Sequence, residues 1–252
     1  MGVKPGRNGY ISWVSAQAGV TIVVPAHNEF AALSRCLSAI KTAAIAVALP
    51  ASVVVVLDAC DDGSAGMAGQ FGQDVHFIAV DERNVGAARA AGFHYAKSVL
   101  EAVGTRHWYA TTDADTEVGG DWLVRQLGSG ADMVLGLVQV GQWRHHSEQV
   151  AELYEARYHA EAPLHQHIHG ANMGFRSEAY WRVGGFAALA SGEDVDLVDR
   201  FRAADLHIAW DDQLWVTTSD RQRGRAPDGF ADHLAEVSQE VERREDRADE
   251  VS

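Results

Sequence analysis

The run Val53-Val54-Val55-Val56-Leu57, closed by Asp58, constrains the fold of this chain more than any other stretch. Consecutive apolar, mostly β-branched residues make a strand with no polar face, so both of its sides must be covered. Strands of this kind belong to parallel sheets with helices above and below. The neighbouring sequence repeats the plan. Val20-Thr21-Ile22-Val23-Val24, closed by Pro25, reads as a preceding strand, and Val75 to Val80 and His107 to Thr112 read as later ones. A helix is expected from Glu29 to about Val47, capped by Asn28, with Leu33, Leu37 and Ile40 on one face. Another is expected from Gly86 to about Ala102. Strands alternating with helices imply βαβ units and a mainly parallel sheet, with ligands at the carboxyl ends of the strands. Asn28, Asp58 and Asp113 all fall at such ends, so one cleft can collect them.

The last of these strands leads into Asp113-Ala114-Asp115. Two carboxylates one residue apart suit a hard divalent cation, Mg²⁺ or Mn²⁺, shared with the phosphates of a substrate. Alone the pattern is weak, because acidic pairs are common at strand ends.

The second half is less regular. Met133 to Val140 reads as a strand, Ser147 to Ala162 as a helix, and Ile168 to Phe175 as a glycine-broken segment lining a site. Glu193 to Ala204 reads as a helix, and Ile208 to Thr218 as one or two strands. Arg221, Arg223 and Arg225 alternate on a loop, an arrangement suited to closing over a diphosphate or an anionic acceptor, with a plain solvated loop as the alternative. The expected division is an arm over 1–18, one domain over 19–230 and a charged helix or tail over 231–252. Within the domain, 19–116 and 117–230 are expected to form two halves.

Composition narrows the function. The net charge of −14 argues against a nucleic-acid surface, although residues 231–252 alone hold eight acids against three arginines. No apolar run approaches the roughly 18 residues of a membrane span. Two cysteines make no disulfide framework, which fits a reducing, cytoplasmic setting.

Further motifs stand around the acidic pair. They are Pro25-Ala26-His27-Asn28-Glu29, Asp62-Gly63-Ser64 after the Asp58 strand, Arg83-Asn84-Val85-Gly86-Ala87-Ala88-Arg89, Gly170-Ala171-Asn172-Met173-Gly174-Phe175, Val183-Gly184-Gly185-Phe186 and Gly192-Glu193-Asp194-Val195-Asp196-Leu197. In this order the set resembles a family 2 glycosyltransferase of the GT-A fold, an α/β, Rossmann-like architecture. The resemblance implies transfer of a sugar from a nucleoside-diphosphate sugar, UDP favoured, to an acceptor hydroxyl. It implies Asp115 and Asp113 at the metal, and Asp194 as general base beside Glu193. Pro25, Ala26, Asn28, Glu29, Asp58, Arg83, Gly86, Arg89, Asp113, Ala114, Arg221 and Arg223 would then hold the donor, with Asp58 accepting from the nucleobase. His169, Gly170, Ala171 and Asn172 would face the acceptor. Two departures stand out. Asp58 is separated from Asp61-Asp62 by Ala59-Cys60, which leaves open which carboxylate meets the base, and the family's late Q-x-x-R-W element is absent.

Plainer readings accompany each site. Asn28 and Glu29 also suit a helix start, and the Glu193, Asp194 and Asp196 cluster suits the positive end of a helix. Asp115 also suits a cap. His165, His167 and His169 alternate like a metal tract, yet no cysteine is near. Trp122, Trp143, Tyr154, Tyr158, Trp181 and Trp210 read as core, with one or two free to stack on a sugar. The alternatives in function are a retaining transferase of the glucosyl-phosphoglycerate-synthase kind, a haloacid-dehalogenase-type phosphatase, a sugar nucleotidyltransferase, and a nucleotide-binding module without turnover.

Overall fold

The computed structural model describes residues 17–102, 104–160, 167–221 and 230–249. Its centre is an eight-stranded sheet. The strands are β1 (Gly19–Ala26), β2 (Ala51–Asp58), β3 (Val75–Val80), β4 (His107–Thr111), β5 (Glu117–Val118), β6 (Met133–Val140), β7 (Met173–Arg176) and β8 (Ile208–Thr218). Their order across the sheet is β3-β2-β1-β4-β7-β6-β8-β5. Strands β3, β2, β1 and β4 run parallel, as the apolar runs require. Strand β7 enters antiparallel between β4 and β6, and β8 lies parallel to β6 with a register shift between Leu135 and Leu137.

Alternation along the buried strands feeds two cores. Ile22 and Val24 of β1, Val53 and Val55 of β2, and Trp108 of β4 face the helices α1 (Phe30–Ile45) and α3 (Trp122–Gly128). Val23, Val54, Val56 and Tyr109 face the other side, against α2 (Val85–Tyr95), α5 (Ser177–Arg182) and α6 (Glu193–Ala203). A period of two on a sheet covered on both sides leaves no polar position, which is why these runs are continuous. Helix α2 lies close to the sheet at Gly92, where an added Cβ would stand 2.5 Å from Val23 and 2.9 Å from Val56. A third cluster joins α4 (Glu148–Ala160) to α7 (Phe230–Asp249) through Tyr154, Tyr158, Leu234, Val237 and Val241.

Several local expectations change. Asn28 does not cap α1: it takes a positive φ of 56° and its side-chain oxygen accepts from the Asp61 N–H at 2.8 Å. The helix begins at Phe30, and the second helix ends at Tyr95, where a π turn over Ala96–Leu100 replaces its continuation. Residues 173–176 form a strand because β7 is needed to satisfy the facing edges of β4 and β6. Ile208 to Thr218 is a single strand. Helices α3 and α5 and the short β5 carried too few residues to stand out by periodicity.

Candidate active site

The carboxyl ends of β1, β2 and β4 open into a cleft of about 740 Å³. Pro25 and Ala26 line it from the end of β1 with Glu29 just beyond, Asp58 from the last position of β2, and Asp113, Ala114 and Asp115 after β4. The second half adds His169, Gly170, Ala171, Glu193, Asp194 and Arg221. The two halves of the chain therefore meet at one place, where the parallel strands end.

Arg89 is the hub of its floor. Its side chain is only 3% exposed, and its two terminal nitrogens donate to different acids, Nη2 to Asp113 at 2.7 Å and Nη1 to Glu193. Its guanidinium also lies 5.5 Å from the centre of the Phe186 ring. Gly170 has no side chain because an added Cβ would come within 2.6 Å of the Arg89 guanidinium. Burial pushes the Glu193 carboxyl up while Arg89 pulls it down, and the upward push prevails. Arg89 is thus committed to two carboxylates, and this burial takes it out of the set of cations open to a phosphate. Glu193 is likewise turned to Arg89, not presented to an acceptor.

Asp115 sits at the other side of the floor. Its carboxylate accepts from the Ser219 hydroxyl at 2.6 Å and lies 3.2 Å from Arg221. Arg221 also pairs with Glu29. A guanidinium therefore fills the space between the acids that follow β1 and β4.

Asp194, in the first turn of α6, reaches two elements. Its Oδ2 accepts from the Gly170 N–H at 2.8 Å and its Oδ1 from its neighbour Val195 at 2.8 Å. The carboxylate lines the cleft while holding the glycine loop that enters β7.

Other expected site residues take structural positions. Asp58 lines the cleft, but its oxygens accept from the backbone N–H groups of Glu82 at 2.7 Å, Arg83 at 2.8 Å and Asn84 at 2.9 Å. It holds the loop into α2. Asp62 accepts from Phe30 and Ser64. Asn172 is fully buried: it accepts from the Trp122 indole at 2.9 Å and donates to the carbonyls of Leu137 and Leu214. That knot ties β7 to its neighbours and removes Asn172 from the acceptor face. Gly86 is not at the cleft; its missing Cβ makes room for the Ala187 carbonyl, 2.2 Å from where that atom would be. Arg83 lines the rim, exposed and 3.2 Å from Asp81. Arg223, Arg225 and His165 lie outside the described residues.

Sequence reasoning missed His27, Ser219, Arg157 and Ser191, which also line the cleft. His27 donates from Nδ1 to the Asp58 carbonyl at 2.6 Å, joining the ends of β1 and β2. Its position inside the Pro25 to Glu29 motif was the available signal. Ser219 carried none, since only the pairing of β8 with β6 and β5 brings it to Asp115.

With this geometry in place, the comparisons decide the family. The glycosyl transferase family 2 model matches residues 21–184, which include most of β1, the acidic pair and β7. The chain belongs to glycosyl transferase family 2. It is an enzyme of the glycosyltransferase class, and the phosphatase and nucleotidyltransferase alternatives fall away. No curated protein matches the chain by sequence. Among solved structures, the mannosyltransferase PcManGT from Pyrobaculum calidifontis, in complex with GDP-Man and Mn²⁺, superposes at TM-score 0.60 and 19% identity, covering 84% of this chain and 60% of that one. The S. aureus TarS 1–349 structure with UDP-GlcNAc gives 0.61 and 12% identity, over 87% and 64%. The glucosyl-3-phosphoglycerate synthase of Mycobacterium tuberculosis, with Mn²⁺, UDP and glucosyl-3-phosphoglycerate, gives 0.58 and 20%, over 96% and 84%. The chain thus spans less than two thirds of the first two structures. All three show the same family fold, with a mixed sheet flanked by helices. Among the described residues of this family member, no helix is long and apolar enough to cross a membrane.

Proposed function

We propose that this family 2 enzyme moves a sugar from a nucleoside-diphosphate sugar, UDP favoured, to the hydroxyl of an acceptor, with a divalent cation at Asp115 and Asp113. The observation that carries the reading is Arg221. A cation already sits between Glu29 and Asp115, so the acid cluster calls for positive charge where the donor's phosphates would arrive. Oxygen-only donors suit Mn²⁺ or Mg²⁺. Among the described residues no group of three or more His, Cys, Asp or Glu is arranged to hold a metal alone. When bound, the cation neutralises charge on the departing diphosphate.

The protein's residues do the rest. Asp58 shapes the base end by fixing residues 82–84, and Pro25 and Ala26 give it a backbone wall. Arg221, displaced from Glu29 and Asp115, turns to the diphosphate, with Arg223 and Arg83 as further candidates. Asp194 takes the proton of the acceptor hydroxyl as that oxygen bonds to the anomeric carbon and the bond to the diphosphate breaks. The sugar is inverted. Both Asp194 oxygens keep a lone pair beyond their backbone bonds. The domain division at about residues 18, 116 and 230, and a cytoplasmic setting, belong to the same proposal.

The test is a screen of UDP-, GDP- and dTDP-sugars with Mn²⁺, reading released diphosphate. Release is expected with one donor class, lost in EDTA and in Asp115→Ala. Release that survives EDTA sinks the metal role. Retention of anomeric configuration in the product would replace the inverting reading with the retaining one.

A further inference from the structure

The cleft continues past the acids into a wall of another kind. Helix α4 contributes Tyr154 and Tyr158, and the segment before β7 contributes His167, Ile168 and His169. These rings are ordered as a stack. Tyr158 lies 4.2 Å from His167 at 9° between planes, His167 lies 5.9 Å from His169 at 9°, and Tyr154 lies 5.6 Å from Tyr158 at 30°. The Tyr158 hydroxyl accepts from the Val138 N–H at 3.1 Å and meets His169 Nε2 at 3.2 Å, so the stack is pinned to the sheet. Burial pushes the Tyr158 hydroxyl up to about 12, so this wall stays neutral at Tyr158 through the physiological range. The stack ends beside Gly170, whose N–H is held by Asp194. A hydroxyl resting on the wall would stand next to that carboxylate.

Charge at the cleft points the same way. Among its described residues are six carboxylates, Glu29, Asp58, Asp113, Asp115, Glu193 and Asp194, against four guanidinium groups. Each guanidinium already faces an acid. Arg89 holds Asp113 and Glu193, Arg221 holds Glu29 and Asp115, and Arg83 lies by Asp81. Arg157, the one on the aromatic wall, makes two bonds of 2.8 Å to Glu240 of α7. An anionic acceptor would have to break such a pair, or rely on His27, His167 or His169 alone, and enter a field of excess negative charge.

We propose that the acceptor is an uncharged hydroxyl compound that presents an apolar ring face to the Tyr158–His167–His169 wall, and not a phosphorylated or carboxylated one. The inference rests on the transferase reading above and names its acceptor class. Flat ring faces bury apolar area against aromatic side chains without needing a charged partner. A sugar ring and a phenolic ring share this chemistry, and the experiment separates them.

The probes are matched pairs: methyl glucoside and phenyl glucoside, each beside its 6-phosphate, with 3-phosphoglycerate as a small anion. Binding is titrated by calorimetry on the empty enzyme and on enzyme loaded with UDP and Mg²⁺, so the acceptor ranking is read even where donor binding fails. The neutral member of each pair is expected to bind at least about tenfold more tightly, a difference of about 1.4 kcal/mol. His167→Ala should weaken binding of the neutral probes while leaving UDP affinity unchanged. A phenyl glucoside ahead of its methyl counterpart assigns a phenolic ring, and the reverse order a sugar ring. A phosphorylated member binding as well as its neutral partner, 3-phosphoglycerate binding best, or no saturable binding of any neutral probe would overturn the inference. Failure of UDP to bind would count against the donor reading alone.

Discussion

The two ends of the cleft are held by different forces. At the donor end, fixed charges face each other at short range: Arg89 against Asp113 and Glu193, and Arg221 against Glu29 and Asp115. At the acceptor end, stacked rings and backbone bonds carry the shape, and the nearest ion pair, Arg157 with Glu240, lies partly in solvent. Charges in a water-poor floor are costly to leave single, whereas a stacked ring can be trimmed with only a local loss. The donor end should therefore fail abruptly when one member is removed, and the acceptor end gradually.

The largest expected effect lies where the two ends meet. Asp194→Asn keeps the shape of the side chain and an oxygen for the Gly170 N–H but cannot accept the hydroxyl proton. Turnover should fall by about 10²–10⁴. UDP affinity should stay near that of the wild type, because a base acts only in the transition state, and stability should fall by no more than the loss of the exposed Val195 N–H bond, about 1 kcal/mol. Full activity in this variant, measured as product per enzyme, would remove Asp194 from the mechanism and favour the retaining route.

Next comes Arg89→Met, which fills similar volume but leaves Asp113 and Glu193 without their cation. Breaking a buried pair at one partner typically costs about 3–5 kcal/mol. Chemical denaturation should show a loss of that order, and Arg89→Lys should recover part of it. A loss under about 1 kcal/mol, the scale of an exposed pair, would mean the floor is wetter than its burial implies.

Asp58→Ala should cost about 1–3 kcal/mol of folding stability, since the N–H groups of residues 82–84 lose their acceptor. If only UDP affinity drops and the melt is unchanged, the carboxylate serves the base and not the loop.

The same contrast governs what could be read from the sequence. The donor half was legible because β1 and β2 are covered on both sides, so Val53 to Leu57 and Val20 to Val24 declare themselves as unbroken apolar runs. The carboxylates at their ends were located correctly at one cleft, but sequence gave no sign of what each one bonds to. Asp58 and Asp113 look alike at a strand end; one faces backbone N–H groups and the other Arg89. The acceptor half was harder because β7 is short and both of its partners, β4 and β6, lie far before it in the chain. Asn172 sits in a motif that reads as a site, yet three bonds from Trp122 and to the carbonyls of Leu137 and Leu214 bury it. Tyr154 and Tyr158 read as core. Both are core, with a margin that reaches the cleft.

The smallest expected effect tests how the donor end is joined to the wall beside it. Asp220 precedes Arg221 and is 3% exposed. Its carboxylate accepts from the backbone N–H groups of Arg144 and His145, and from the His145 ring at 2.8 Å. Burial alone would push this carboxyl up, but the bonds from His145 and Arg144 outweigh it and hold it below the usual carboxylate range. The folded state then binds the proton less tightly than the unfolded one. The stabilisation is fully present above the unfolded value, about 3.9, and is lost as pH falls through the lower folded value. His145 is 57% exposed, so solvent screens its share and the net worth at neutral pH should be about 1 kcal/mol. Asp220→Asn cannot accept at both oxygens and should melt lower than the wild type at neutral pH. Because the variant has no carboxyl to protonate, the gap between the two melting temperatures should close as pH falls below about 4. A gap that holds constant into acid would mean that Asp220 fixes the start of the arginine loop by its shape and not by its charge.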